Sequence, residues 1–386
     1  MTDASQAVPP PLKEIYASIN LYRREPPNAL DLKETWEKYV NQLRTQIPDV
    51  NIEAEGEIVH WGELSPGCQA CKAGSWDCIF MTMKCNLNCE FCYSPQALRE
   101  DYIGSVFGTT PEQIAENHAR TAITGISFSG GEPFLDPQKL ISWVAWFKEH
   151  FPEKYFWVYT NGLLPDECSL SQLGEAGLDE IRFNMAASGY THPLVMDHLA
   201  QAVRCIPNVT VEIPAVPEYE TKLLSSLNSW VEQGVKFLNL HELMYEPGTR
   251  SAGMHGKRRP VFLPDGHFVE INPESRFLTL KVMKKVWEEN LPLAVNDCSV
   301  QGKLRQLRGR RRNLAPLVKA PYEQLVGDTR LESCCVYRNG QDYFFCSVDS
   351  IPEIRFRYPD HKIVKISREA PLSLDGKRRW IACEEY

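Results

Sequence analysis

Three cysteines stand close together in the segment MKCNLNCEFCYSP, at Cys85, Cys89 and Cys92. Thiolates are ligands for soft metals and for iron–sulfur clusters, and a four-iron cluster normally takes four of them. The spacing C-x3-C-x2-C therefore leaves one iron open to a substrate or cofactor. A tetrahedral zinc site would need a fourth ligand nearby, and the neighbouring asparagine and glutamate residues are poor zinc ligands. The triplet predicts an iron–sulfur cluster with one open coordination position.

The composition narrows the classes of protein that could carry such a cluster. The chain has 386 residues, of which 42 are basic and 50 acidic, so that its formal net charge is −8. This balance, with 43% hydrophobic residues, argues against a disordered tail and against nucleic acid as a partner. No apolar stretch reaches the roughly 18 residues of a membrane span. The thirteen cysteines are too sparse for a disulfide scaffold and no secretory signal precedes them, so we expect a cytoplasmic protein.

The elements that must position the cysteines follow from the apolar pattern. Residues 1–75 are predicted to form a helical N-terminal extension with a cysteine-containing lead-in, in which two helices meet near Pro26 and Pro27 and the β-like run IEAEGEIVHWGEL follows. From Trp76 onward, short apolar runs alternate with stretches of helical period, which is typical of βα units and a parallel sheet. The six runs read CIFMTM, ITGISFSG, YFWVYTNG, EIRFNMAA, VTVEIPAVP and FLNLHELM.

The predicted fold class is α/β, a partial (β/α)6 barrel of the TIM type. The barrel and the segment that follows it occupy residues 76–300, including a hairpin with Asp265 and Gly266 at its tip. Residues 301–386 are predicted as a basic helix and a small antiparallel β module with a turn at Asn339 and Gly340. The strand-like segments of this module read CCVYR, QDYFFCS, EIRFRYP, KIVKIS and RRWIAC.

Two motifs resemble the radical S-adenosylmethionine (SAM) superfamily. The cysteine triplet with the aromatic Phe91 before its last member looks like the cluster loop of these enzymes, and ISFSGGEPFLDP supplies a matching Gly130, Gly131, Glu132 and Pro133. The resemblance covers residues 76–244. It implies that the three cysteines hold a [4Fe-4S] cluster, that Phe91 lies against the adenine of SAM, and that the Gly-Gly-Glu element meets the amino group of its methionine moiety.

Further positions match the superfamily more loosely. Asn161, which follows Thr160, and then Asn184 and Ser188, stand at or after the ends of the third and fourth strands, where the resemblance implies contacts with the methionine and ribose of SAM. The alternative is that these residues form turns and helix caps. His241 and Glu242, at the end of the sixth strand, are candidates for contact with adenine or substrate. No residue is assigned to catalysis of the later steps.

The resemblance also implies the chemistry. A one-electron donor such as flavodoxin or ferredoxin would reduce the cluster, and SAM would be split into methionine and a 5′-deoxyadenosyl radical that abstracts hydrogen from a C–H bond. We expect an anaerobic oxidoreductase that oxidises, hydroxylates or cross-links a biosynthetic substrate, such as a peptide, a tetrapyrrole or a small metabolite. An activase of a glycyl-radical enzyme is the alternative. A non-catalytic iron–sulfur electron carrier is the alternative of another class.

Four other cysteines are candidates for a second metal site. Cys68 and Cys71 form a PGC-x2-C element and Cys298 an Asn-x-Cys-Ser element, as in uncharacterised proteins similar to pyruvate formate-lyase activating enzyme. With Cys78 they would provide four thiolates for an auxiliary iron–sulfur cluster or a single iron or zinc ion. Reduced structural cysteines are the alternative. The β-rich module holds a looser set, which we interpret as buried small hydrophobic side chains. That set is Cys334, Cys335, Cys346 and Cys383.

Overall fold

A computed structural model of the protein describes residues 30–94, 100–262, 268–338, 342–372 and 379–385. The first predicted helix, the joint at Pro26 and Pro27, the hairpin tip at Asp265 and Gly266, and the turn at Asn339 and Gly340 lie outside these residues. The chain divides into two compact units, and among the described residues the boundaries fall between 261 and 262, between 268 and 269, and between Gln306 and Leu307, the last of them within one helix. None of the described helices has the length and hydropathy needed to cross a membrane.

The larger unit is built on a nine-stranded sheet of order β1-β2-β12-β8-β7-β6-β5-β4-β3. Seven neighbouring strands, from β12 to β3, run parallel. The sheet strands are β1 (Val50–Glu53), β2 (Ile58–Trp61), β3 (Trp76–Thr82), β4 (Gly125–Gly130), β5 (Tyr155–Thr160), β6 (Glu180–Phe183), β7 (Asn208–Ala215), β8 (Phe237–Glu242) and β12 (Ala294–Cys298). A second, three-stranded sheet contains β9 (Met244–Tyr245), β10 (Arg259–Phe262) and β11 (Phe268–Ile271). The predicted α/β class with a parallel sheet is confirmed.

Helices connect the parallel strands, as the alternating pattern predicts. They begin where a polar side chain can satisfy free backbone N–H groups: Asp136 accepts from Lys139 N, and Asp166 forms a capping box with Ser169. The helices of this unit are α1 (Leu30–Gln46), α2 (Pro66–Lys72), α3 (Pro111–His118), α4 (Pro137–His150), α5 (Glu167–Glu175), α6 (Pro193–Cys205), α7 (Glu220–Glu232), α8 (Ser275–Glu288) and the first part of α9 (Val300–Val318). Because parallel strands are covered on both faces, all four residues of β6 are buried.

Strand β12 is an addition that the apolar pattern did not predict. It pairs in parallel with β8 and antiparallel with β2. Strand β12 therefore joins β2, which precedes the predicted barrel strands, to β8, the last of them. The segment AVNDC has only five residues, and its third and fourth residues, Asn296 and Asp297, are polar. Asp297 is nevertheless buried, because Arg276 donates two hydrogen bonds to its carboxylate, the Nε bond being 2.8 Å long.

Helix α2 packs against β3, β4 and β5 on the face of the sheet that carries Arg182. Its N-cap Ser65 accepts a hydrogen bond from Cys68 N at 3.2 Å. Gly67 allows the close approach, since a Cβ atom there would lie 2.4 Å from Arg182 Nη2 and 3.3 Å from the Trp157 ring.

The smaller unit contains an antiparallel sheet of five strands among its described residues. They are β13 (Gln324–Val326), β14 (Arg330–Arg338), β15 (Asp342–Cys346), β16 (Lys362–Glu369) and β17 (Arg379–Glu385). One predicted strand is wrong: EIRFRYP forms most of helix α10 (Ile351–Arg357). Pro352 is tolerated in the first turn of a helix, Glu353 pairs with Arg357 one turn later, and Ile354 packs under the sheet.

The four cysteines of this module lie on opposite faces of its sheet. Cys335 packs with Cys383 in one apolar cluster, whereas Cys334 packs with Cys346 in another. Successive residues of a strand point to opposite faces, so these four thiols are divided two and two. Their placement agrees with their interpretation as small hydrophobic side chains.

Candidate active site

A cavity of about 800 Å³ lies where the ends of β3 to β8 meet the cysteine loop. Its wall includes all three cysteines of the triplet, together with Gly130, Gly131 and residues that follow β5 and β6. Carboxyl ends of parallel strands are where α/β barrels place their active sites. The cavity therefore joins the two motifs that the sequence analysis singled out.

The three thiols fit an iron–sulfur cluster. Cys85 is exposed and Cys89 and Cys92 are partly exposed to the cavity, unlike structural cysteines buried in an apolar core. Burial and the two neighbouring thiols raise the pKa of Cys89 to about 11, because three thiolates side by side repel one another. A cationic cluster at this place removes that cost, since the metal stabilises each thiolate. The donor set and its access to the cavity thus agree with the predicted [4Fe-4S] ligands.

Turns from other parts of the chain hold the cysteine loop in place. Ser251 N donates to Cys92 O at 3.0 Å, from a turn over Arg250–Gly253. Asn161 Nδ2 donates to Asn86 Oδ1 at 2.6 Å. The sequence analysis missed the Ser251 contact. In the sequence, the only sign of this turn was the glycine-rich loop that follows β8.

Gly130 and Gly131 cross the backbone that leads into the cysteine loop. Gly131 N donates to Thr82 O at 2.7 Å, and the next residue continues the pairing to Lys84 O. A Cβ atom on Gly131 would lie 1.9 Å from Lys84 O, and one on Gly130 would lie 2.0 Å from Thr82 O. Gly130 also has a φ of +126°, which side chains disfavour. The glycines are therefore required for this crossing, as well as bordering the cavity.

Glu132 is fully buried beneath the cavity wall. Its carboxylate accepts hydrogen bonds from Thr160 Oγ1 at 2.9 Å, Asn161 N at 2.7 Å and Phe134 N at 3.1 Å. These bonds join the end of β4 to the end of β5. Glu132 thus fixes the geometry of the site, and its predicted contact with the methionine moiety stays a prediction.

The remaining predicted SAM residues fall into two groups. Phe91, Asn161 and Asn184 border the cavity. Asn184 also caps a short 3-10 turn, accepting from Ala187 N at 3.2 Å, and Ser188 lies at the end of that turn, where its hydroxyl donates to Met185 O. The capping alternative therefore holds for Asn184 and does not exclude a ligand contact. Their roles toward SAM stay predictions.

A buried charged network forms the wall of the cavity across β6, β7 and β8. Arg182 Nη1 donates to Glu212 Oε2 at 2.6 Å, and the other oxygen of Glu212 lies 2.6 Å from His241 Nε2. Lys303 Nζ donates to His241 Nδ1 at 3.1 Å. Because an ammonium group can only donate, His241 Nδ1 accepts the hydrogen bond from Lys303. His241 Nε2 therefore carries the ring proton and donates a hydrogen bond to Glu212. Glu242 faces elsewhere, because it is buried and accepts from Val300 N at 2.7 Å.

The network fixes the ionisation of its members. Burial alone would raise the pKa of Glu212, but Arg182 and His241 hold that pKa well below its usual range. Burial and the Lys303 ammonium lower the pKa of His241. The sequence analysis named His241 alone. Arg182 and Glu212 were detectable only as charged residues inside otherwise apolar strands.

The four other candidate cysteines lie on three elements of the larger unit, one helix and two strands. Cys68 and Cys71 lie on α2, Cys78 on β3 and Cys298 at the end of β12. Cys71 is close enough to Cys68 and Cys298 for electrostatic interaction, and burial raises its pKa well above the ordinary value. Cys78 borders the cavity. A second metal site stays a prediction at this point.

Glu132 predicts a measurable pH dependence of stability. Burial raises the pKa of Glu132 from 4.5 to about 7. The folded state therefore binds this proton more tightly than the unfolded state, so its stabilising effect is complete below about pH 4.5 and is lost as the pH rises through 7. Relative to Glu132→Gln, the wild type should lose about 2.5 kcal/mol of unfolding free energy between pH 5 and 8.5. Denaturant unfolding of both proteins, at equal cluster content, measures this difference, and a constant difference across the range contradicts it.

Comparison with known proteins agrees with the site. The family model of a 4Fe-4S single cluster domain matches residues 73–173, which contain the cysteine triplet and the Gly-Gly-Glu-Pro element. A protein of Methanocaldococcus jannaschii, named as a candidate glycyl-radical enzyme activating enzyme, is 29% identical over 294 residues, or 73% of this chain and 76% of the relative. The PqqA peptide cyclase of Gluconobacter oxydans is 32% identical over 104 residues, or 27% of this chain and 28% of the cyclase.

Among solved structures, the crystal structure of methylornithine synthase is similar over 69% of this chain and 86% of its own, with 15% identity and a TM-score of 0.41. That similarity is too low to carry an argument about function. The iron–sulfur domain and the two sequence motifs are sufficient to assign a [4Fe-4S] cluster and SAM as the cofactors of the site. The cysteine loop, the parallel α/β sheet and the similar proteins together support a radical SAM superfamily protein related to activating enzymes.

Proposed function

We propose that this enzyme cleaves SAM reductively and uses the product to abstract hydrogen from a C–H bond of a biosynthetic substrate, which it oxidises, hydroxylates or cross-links. The observation that best supports this proposal is that three thiols of the cysteine loop face a cavity of about 800 Å³. That volume lies toward the upper end of ligand sites, which span roughly 300–1,000 Å³. When bound, the cluster and SAM supply one-electron cleavage to methionine and a 5′-deoxyadenosyl radical.

The chain's own residues orient the reactants. Gly130, Gly131 and Asn161 line the part of the cavity next to the cysteine loop, where SAM would lie. Phe91 is buried and lines the cavity, so its apolar ring keeps water from that part of the wall. On the other wall, the ionised Arg182 and Glu212 offer fixed charges to a polar part of the substrate. Neither charged group has to reorganise, because Arg182 and Glu212 are already hydrogen-bonded to each other.

A peptide is among the substrate classes that we propose, with a tetrapyrrole or a small metabolite as the others. The support for a peptide is the similarity to the peptide cyclase, which spans 104 residues. We also propose a flavodoxin or ferredoxin as electron donor and the cytoplasm as location.

Activation of a glycyl-radical enzyme is the second candidate function. Its support is the relative with the corresponding name, which aligns over 73% of this chain. In this case the C–H bond would belong to a glycine of a partner protein. The two functions share the same SAM chemistry and differ in what enters the cavity.

The first experiment is anaerobic incubation of cluster-loaded protein with SAM and dithionite. We expect methionine and 5′-deoxyadenosine in equal amounts. If protein with a full cluster forms no 5′-deoxyadenosine, the result contradicts the proposed SAM cleavage and favours a non-catalytic electron carrier. Two additions then separate the two functions. With a deuterated candidate peptide as substrate, deuterium appears in 5′-deoxyadenosine. With a glycyl-radical enzyme as partner, electron paramagnetic resonance detects a glycyl radical.

A further inference from the structure

We propose that Cys334 and Cys346 are a redox-active pair, which a small-molecule disulfide oxidises to an intramolecular disulfide bond. The two cysteines lie on the neighbouring strands β14 and β15, and both are free thiols in the structure. They belong to the smaller unit, whereas the cysteine loop belongs to the larger one. This modification site therefore does not depend on the proposed function.

The register of the two strands places the cysteines directly opposite each other. In the antiparallel ladder of β14 and β15, Cys334 is the partner of Cys346. The Cα atoms of such partners are about 4.5 or 5.5 Å apart, depending on whether the pair is hydrogen-bonded. A disulfide bond requires a Cα separation of roughly 4.4–6.8 Å. Either kind of pair therefore lies within the range that a disulfide bond spans.

The two side chains also lie on the same face of the sheet. Cys346 packs against the apolar cluster that contains Cys334, Val336 and Ile363. Residues that are directly opposite in an antiparallel ladder have Cβ atoms about 4.5–5.5 Å apart. The bond therefore requires rotation of the two side chains and a small approach of the strands, without a change of register.

The other two cysteines of the module cannot form such a bond with each other. Cys335 of β14 is paired with Val364, and Cys383 of β17 is paired with Ile366. Because β16 lies between β14 and β17, these cysteines are two strand spacings apart, or about 9.6 Å. Cysteines whose Cα atoms are more than about 7 Å apart cannot be bridged without movement of the backbone.

The two thiols of the proposed pair differ in access to solvent, which sets the order of reaction. Cys346 is partly exposed, whereas Cys334 is fully buried. The Cys346 sulfur therefore reacts first, displacing one thiol from the reagent and forming a mixed disulfide. The Cys334 sulfur then attacks the Cys346 sulfur and displaces the second thiol. In total, the two cysteines give up two electrons and two protons, which convert the reagent disulfide to two thiols.

Burial makes this reaction slow. It raises the pKa of both thiols, that of Cys334 to about 12. Because the thiolate is the attacking form, only a small fraction of the pair is reactive near neutral pH. We therefore expect reduced thiols under reducing conditions and the disulfide bond after prolonged oxidation. Disulfides of proteins in reducing compartments are usually transient in this way.

The test is peptide mapping of the full-length, cluster-loaded protein after anaerobic incubation with oxidised glutathione. Free thiols are alkylated before digestion with trypsin, which separates the two cysteines by cleavage after Arg338. We expect residues 331–338 linked to residues 339–355, with most of Cys346 in this linked product. The exposed Cys168 should carry glutathione, which verifies that the reagent has acted. If Cys168 carries glutathione while Cys346 is recovered alkylated or bound to glutathione, the proposal is overturned.

Single replacements identify the partner of Cys346. Cys334→Ala should abolish the linked product and leave Cys346 bound to glutathione. Cys335→Ala is the matched control and should keep the link, because this thiol shares the tryptic peptide and faces the other side of the sheet. Loss of the link in Cys335→Ala, or its retention in Cys334→Ala, contradicts the assignment. Cys334→Val serves as a second variant if the alanine form unfolds, and circular dichroism verifies that the proteins compared are folded.

Discussion

Replacement of Cys89 by alanine should abolish SAM cleavage. Cys89 is the middle cysteine of the loop, between Cys85 and Cys92, and is predicted as a cluster ligand; a loop with two thiolates cannot retain a cluster that already has one open iron. Because the cofactors perform the difficult step, the rate of 5′-deoxyadenosine formation should fall by at least ~1,000-fold. Anaerobic turnover with dithionite, normalised to protein, measures it.

The matched control for this variant is Cys168→Ala, because Cys168 is an exposed cysteine on α5. We expect wild-type rates and iron content from this control. The Cys89→Ala protein should instead lose about four irons per chain. A Cys89→Ala protein that keeps its iron and its activity refutes the ligand assignment.

Replacement of Gly131 by alanine should disrupt the site through the backbone. The added Cβ would lie 1.9 Å from Lys84 O and 2.7 Å from Met83 O, and main-chain atoms cannot rotate away as a side chain does. Either β4 or the segment that leads to Cys85 must shift. We expect a loss of about 3 kcal/mol or more in unfolding free energy and a melting temperature lower by about 5–12 °C. Cluster incorporation should fall with it.

The control for this substitution is Gly253→Ala, since no atom lies within 4 Å of its added Cβ. Its φ also lies outside the positive region, so the change should stay within about 0.5 kcal/mol. Differential scanning fluorimetry and iron content of both variants make the comparison. Equal melting temperatures for Gly131→Ala and the wild type would show that the backbone at Gly131 and Lys84 leaves room for a Cβ atom.

The sequence by itself determined the class of fold and predicted the cluster ligands. Cys85, Cys89 and Cys92 lie within one short loop, so their spacing alone limits the metal they can share. The βα alternation is likewise local, because the period of apolar residues is a property of each segment. The predicted domain division at residues 75 and 300 stays a prediction. Local pattern failed for α10, where alternating residues near Pro352 looked like a strand.

Only the tertiary structure decided what the distant residues do. The pairing of β12 with β2 and β8 joins segments far apart in the chain, and no local period encodes such a partner. Tertiary contacts likewise decided that Gly131 meets the backbone of Lys84, that Arg182 and Glu212 ionise side by side, and that Cys68 donates to Asn239. A side chain's charge, access and neighbours are set by burial and packing, which come into existence only when the sheet assembles.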